Sequence, residues 1–92
     1  MTKVKALDVI RALAAAQAVE ITEHALKEAK DEGFMAADVV NALENAQSCE
    51  REPGKLPKWK VYGPSFDDEN MAVITLIVGE KSLRVITVHL PP

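Results

Sequence analysis

The hydrophobic period of this chain changes near Gln47, and this change limits the folds that the chain can adopt. Before Gln47, apolar side chains recur every three or four positions, as they do on the buried face of an α-helix. After Gln47, the apolar residues alternate with polar ones or form short continuous runs, which is typical of β-strands. The predicted class is therefore α+β, with the helices first and the strands afterwards.

Two or three helices are predicted, over residues of about 2–18, 22–33 and 36–46. Thr22 has the side chain and the position of an N-cap for the second helix, and Gly33 is suited to the left-handed backbone that ends it. Met35 stands at the expected cap of the third helix but cannot cap it. We expect Asp38 in the first turn to compensate in part.

Four strands are predicted, over residues of about 49–52, 58–63, 71–78 and 83–90. The connections at 65–70 and 79–81 are turn-rich and too short to hold crossover helices, so neighbouring strands should be antiparallel. The expected architecture is a single domain spanning 1–92, in which the helices pack on one face of a three- or four-stranded antiparallel meander.

The length, the apolar runs and the cysteine count of the chain favour a cytoplasmic protein of bacterial type without a membrane partner. The chain has 92 residues, and no stretch approaches the roughly 18 apolar residues of a membrane span. Its single cysteine, Cys49, excludes an internal disulfide and fits a reducing compartment.

The net charge of −3 argues weakly against generic nucleic-acid binding. One basic cluster stands out, because only Glu52 opposes the four cations of residues 51–60. These cations are Arg51, Lys55, Lys58 and Lys60.

Strand alternation assigns side chains to the two faces of the sheet. Trp59 and Val61 form the expected core side of their strand, which leaves Lys58, Lys60 and Tyr62 on the open side. On the last strand, Ile86, Val88 and Leu90 are the expected core set. Thr87 and His89 would then join the open side, and Arg84 would point inward or lie at the rim. Without a bulge, Arg84 and His89 cannot share one face.

Several segments, taken in order, resemble the domain-of-unknown-function 4258 family of small bacterial proteins, which is similar to the RelE and BrnT toxins. The resemblance rests on Ile21-Thr22-x-His24-Ala25-Leu26, Gly33-Phe34, Asp38-Val39-Val40, Lys60-Val61-Tyr62-Gly63 and Val85-Ile86-Thr87-Val88. It implies a RelE-like sheet with helices on one side, and a metal-independent endoribonuclease activity. At two places where members usually carry arginine, this chain has Glu28 and Glu32.

The candidate site residues follow from ribonuclease chemistry. His24 lies in the first turn of the second helix, where the dipole favours a neutral imidazole that could act as a general base. Tyr62 and His89 are candidates for positioning the substrate and for the general acid, and Arg84 for stabilising a phosphorane-like transition state. Each also has a structural interpretation, as a packed or paired surface side chain. Arg51, Lys58 and Lys60 are the predicted substrate-binding cations.

Two functions remain open from the sequence. The first is a toxin-type domain that binds or cleaves RNA, with no metal and no cofactor. The second is a non-catalytic module that binds an antitoxin-like protein or a second copy of itself, which the acidic residues Glu28 and Glu32 favour.

Overall fold

A computed structural model of the protein describes residues 1–91. The helices are α1 (Lys3–Ala15), α2 (Glu23–Asp31) and α3 (Ala36–Glu44). The strands are β1 (Val19–Ile21), β2 (Ser48–Arg51), β3 (Lys58–Pro64), β4 (Asn70–Val78) and β5 (Ser82–His89). Within residues 1–91, no helix is long and apolar enough to cross a membrane.

The strands form one sheet in the order β1-β5-β4-β3-β2. The four C-terminal strands are antiparallel neighbours, whereas β1 pairs in parallel with β5. The predicted α+β class, with helices packed on a sheet, is confirmed, but the sheet has five strands and is mixed. β1 was not predicted because a three-residue strand is too short to show a period.

Local sequence explains where the helices begin and end. Thr22 caps α2 by accepting a hydrogen bond from the N–H of Ala25 at 3.2 Å. At α3, the carboxylate of Asp38 accepts the backbone N–H of Met35 at 2.9 Å, which is the reciprocal bond of a capping box and compensates in part for the methionine at the cap. α1 ends earlier than predicted, because Gln17 takes a left-handed φ of 60°.

The core lies between the helices and one face of the sheet. Trp59 and Val61 are buried there, as the alternation predicts. Gly63 continues the same face, and a Cβ built on it would overlap the backbone carbonyl of Ala42. Glycine at this position therefore allows α3 to approach β3 closely.

The last strand is irregular, and this irregularity changes its predicted faces. Ile74 pairs with Thr87 and Thr75 with Val85, so Ile86 is an additional residue on β5, a β-bulge. The prediction that Ile86 and Leu90 belong to the core with Val88 was wrong. The buried residues of β5 are Leu83, Val85 and Val88, whereas Ile86 is half-buried and Leu90 exposed.

Candidate functional site on the open sheet face

The sheet face that points away from the helices carries most of the candidate residues, and we call it the open face. Most of its side chains are half-buried or exposed rather than packed in the core. Cross-strand register groups them on neighbouring strands. The open face comprises Lys58, Lys60, Tyr62, Ile74, Leu76, Arg84, Thr87 and His89.

Lys60 and Tyr62 form a pair at the centre of β3. The ammonium of Lys60 lies 5.7 Å from the centroid of the Tyr62 ring, within the range of a cation–π contact. Lys60 is directly opposite Ile74 on one side and Glu50 on the other. The pair thus combines a cation, an aromatic ring and an apolar neighbour on one surface.

Tyr62 and His89 flank Ala72 in the register of the sheet. Ala72 pairs with Tyr62 on β3 and with His89 on β5, and it has no exposed surface despite lying on the open face. The β3 and β5 backbones are about 10 Å apart, since each strand spacing is about 4.8 Å. The ring of His89 is engaged locally, with Nδ1 2.9 Å from the carbonyl oxygen of Leu90.

The bulge brings Arg84 and His89 onto the same face. Arg84 lies opposite Leu76, and His89 lies opposite Ala72, both on the open side. Arg84 does not carry a free cation, however, because its Nε donates to Glu20 of β1 at 3.0 Å. The alternative interpretation of Arg84, as one half of a surface ion pair, therefore describes its geometry.

His24 lies at the rim of the sheet rather than on the open face. Its Nε2 is 3.3 Å from a carboxylate oxygen of Glu28 one turn later on α2, and its side chain is 72% exposed. The same carboxylate accepts the backbone N–H of Val88 at 3.1 Å. His24 is thereby tied to the edge of β5, with β4 between that strand and Lys60. The structure does not bring the imidazole and the Lys60–Tyr62 pair into one pocket.

Arg51 is separated from the other predicted substrate-binding cations. It pairs with Trp59, so it belongs to the opposite side of the strand from Lys58 and Lys60. Of the three cations, Lys58 and Lys60 share the open face and Arg51 does not.

Sequence reasoning missed the roles of Glu20 and Glu28. Both carboxylates bind groups on β5, sixty and sixty-four positions away in the chain for Glu28 and Glu20 respectively. From the sequence, Glu28 is predicted only to favour a non-catalytic module. Its acceptor role depends on β1 ending at Ile21, which leaves the β5 edge open beyond Val85. The sequence could have indicated that Glu28 binds this edge only if β1 were long enough to show an alternating pattern.

Cys49 is a buried cysteine with a free thiol. Burial raises the pKa of its thiol above the ordinary value, and this outweighs the opposing effect of the Lys3 and Arg11 charges. The Sγ atom lies 3.5 Å from the carbonyl oxygen of Lys3. A protonated, buried thiol is a poor nucleophile, which is consistent with a structural role.

Comparison with known proteins identifies the family. The profile of the family described as Domain of unknown function (DUF4258) matches residues 21–89, well over half of the chain. The chain belongs to this family. The match begins at the end of β1 and covers α2, α3 and the four C-terminal strands, so it includes every residue of the open face, whereas Glu20, the partner of Arg84, lies just before it. No curated protein and no solved structure matches the chain.

Proposed function

We propose that this DUF4258 protein is an RNA-binding domain of the RelE-like toxin type, which binds single-stranded RNA on the open face. The observation that carries the proposal is the Lys60–Tyr62 pair, in which a cation lies over an aromatic ring on a sheet surface that the three helices of the described residues leave uncovered. Proteins that bind single strands combine aromatic platforms with cations in this way, because every base can stack and every nucleotide carries a phosphate.

The neighbours of the pair support this assignment. Lys58 extends the cationic row along β3, and Ile74 and Leu76 of β4 provide an apolar floor beside it. Glu50 opposes Lys60 from β2, so the local charge is only modestly positive. With two cations on this face, we expect moderate affinity whose logarithm falls with the logarithm of the salt concentration with a slope of about −1.4, which is two single-strand phosphate contacts.

The geometry supports binding better than cleavage. General acid–base cleavage needs two groups within hydrogen-bond reach of the same ribose and phosphate. His24 lies at the rim beside Glu28, His89 contacts its own neighbouring carbonyl, and Arg84 is paired with Glu20. Cleavage remains an outcome that the experiment below can detect.

The test is fluorescence anisotropy with a labelled single-stranded RNA and its duplex, at several salt concentrations. We expect Lys60→Ala to weaken single-strand binding and to reduce the salt slope by about 0.7, the value for one phosphate contact. Tyr62→Ala should cost about 1–3 kcal/mol through loss of stacking, whereas Tyr62→Phe should retain most of the affinity.

Lys30→Ala is the matched control, because it removes the same charge from the exposed side of α2. Equal losses of affinity for Lys30→Ala and Lys60→Ala would point to non-specific attraction and contradict the proposal. Wild-type protein that binds no RNA would contradict it too.

Gel analysis of the same mixtures detects cleavage. Cleavage that is lost in His24→Ala would replace binding by endoribonuclease activity as the function.

A further inference from the structure

The outer edge of β2 is open to a further strand. Within residues 1–91, β2 pairs only with β3. The N–H of Glu52 donates to the carbonyl of Lys58 at 2.9 Å, which continues the register in which Glu50 faces Lys60. Because antiparallel bonding alternates, the backbone groups of Cys49 point away from the sheet. The strand has neither proline nor a bulge to protect this edge.

A groove runs beside this edge and provides an apolar wall. It has a volume of about 290 Å³ and lies between β2 and the start of α1. Val4 and Leu7 line it together with Lys3 and residues 47–50. Val4 is 74% exposed, although it occupies a helix position next to the sheet. A strand added to β2 would cover this valine.

We propose that the occupant is β2 of a second copy, paired antiparallel around a two-fold axis at Cys49. Opposed residues in an antiparallel pair share a face, so Cys49 must lie opposite another core-side residue, either Cys49 or Arg51 of the second copy. Pairing with Arg51 would set Glu50 against Glu50, and like charges directly opposite are destabilising.

Charge and hydrogen bonding favour the axis at Cys49. In that register the carboxylate of Glu50 lies opposite the hydroxyl of Ser48 in the second copy, which can donate to it. Two neutral thiols meet at the axis, and the outward N–H and C=O groups of Cys49 bond to their counterparts. Every pair on the strand is then compatible with its partner.

The pairing makes one ten-stranded sheet and extends the open face across both copies. The two β3 strands would be about 14 Å apart, which is three strand spacings. Each copy would present its Lys60–Tyr62 pair on the same continuous surface. The dimer does not depend on RNA binding, so the two proposals can fail separately.

Disulfide cross-linking tests the axis, with Cys49→Ala as the background. The proposed register makes position 48 of one copy and position 50 of the other a pair whose Cα atoms are about 4.5 Å apart, within disulfide range. Mixing Ser48→Cys and Glu50→Cys proteins should give a cross-linked dimer under mild oxidation, whereas neither protein should cross-link alone. Glu50→Cys that cross-links to itself would overturn the proposed axis.

Sedimentation of the unmodified chain tests the dimer itself. We expect a species of twice 10.0 kDa. Val4→Glu should raise the dissociation constant about tenfold or more, because it puts a charge into the covered groove. An acid in the first turn of α1 suits the helix dipole, so the monomer should still fold. Phe66→Glu is the matched control, since Phe66 is 68% exposed outside the groove. A monomer at all concentrations, or equal effects of both variants, would overturn the proposal.

Discussion

Glu28 accepts a hydrogen bond from the backbone N–H of Val88, and this bond fixes helix α2 against the edge of β5. β1 ends at Ile21, so Val88 has no strand partner on that side. A carboxylate supplied by the helix satisfies a backbone donor that would otherwise face the rim. Glu28 therefore has a structural role at this edge of the sheet.

Replacing Glu28 should loosen this edge. Glu28→Ala is expected to lower the free energy of unfolding by about 1 kcal/mol, since the bond is charge-assisted but the side chain is 30% exposed. Glu28→Gln keeps an acceptor oxygen and should lose less, whereas Glu28→Arg has no acceptor and should lose at least as much as alanine. Urea denaturation and amide hydrogen exchange at Val88 measure the two effects.

Glu32→Gln serves as the control for Glu28, because it changes an exposed acid at the end of the same helix. Unchanged exchange of the Val88 amide in Glu28→Ala would show that the hydrogen bond does not hold this edge.

Gly63 sets the distance between α3 and β3, so adding a methyl group there should be costly. In Gly63→Ala the new Cβ would overlap the backbone carbonyl of Ala42, and a backbone atom cannot swing aside as a flexible side chain can. We expect a loss of about 1–3 kcal/mol or more in unfolding free energy. Gly79→Ala is not a neutral control, because Gly79 has a φ of 57°. Pro64→Ala, next to Gly63 on the open side, is the better comparison. Equal stability of Gly63→Ala and the wild type would disprove the close approach.

The sequence predicts β3 better than β5, for a physical reason. Alternation on β3 is unbroken, so the open positions of Lys60 and Tyr62 follow from the pattern alone. On β5, the bulge at Ile86 shifts every face that precedes it. The bulge lies opposite Thr75, whose buried hydroxyl donates to the carbonyl of Arg84 at 3.0 Å. Because this hydrogen bond joins β4 to β5, the alternating pattern of β5 alone cannot predict it.

The candidate site shows the same division between local and distant information. The cap at Thr22 and the turn at Gly33 are local, and the structure has both as predicted. The partner of Arg84 is instead distant in the chain. Arg84 pairs with Glu20 through β1, a strand too short to be predicted. The residues that share a face of β3 could be grouped from the sequence, whereas those of β5 and of the rim could not.

Arg11 links α1 to the end of α3 and should contribute to stability rather than to any binding surface. Its Nε and Nη2 both donate to the carbonyl oxygen of Ala46, at 2.9 and 2.6 Å. This carbonyl lies just beyond the end of α3, where backbone acceptors lack helical partners. Arg11→Met keeps the packing of the stem and removes both donors, and should cost about 1–2 kcal/mol in urea denaturation.

Arg11→Lys separates charge from geometry, because it keeps the positive charge but replaces the two N–H groups that converge on the Ala46 oxygen with one ammonium. A stability of Arg11→Met equal to that of the wild type would show that the two hydrogen bonds contribute nothing net.

Cys49 should make the protein less stable in alkali. Burial raises the pKa of the folded thiol above the ordinary value of 9.0. Below that pH the thiol is protonated in both states, so its contribution is constant. As the pH rises above 9.0, the unfolded chain releases the proton first, and the free energy of unfolding falls. The steepest additional slope from one such group is about 1.4 kcal/mol per pH unit.

Comparison with Cys49→Ala isolates this effect from the titration of lysine and tyrosine. The variant is expected to have a different absolute stability, since it loses buried volume, so the slopes are the quantity to compare. Wild-type stability measured by urea denaturation between pH 8 and pH 10 should fall more steeply than that of Cys49→Ala. Parallel curves would mean that the thiol titrates alike in the folded and unfolded chains, and that burial beneath α1 does not disfavour the thiolate.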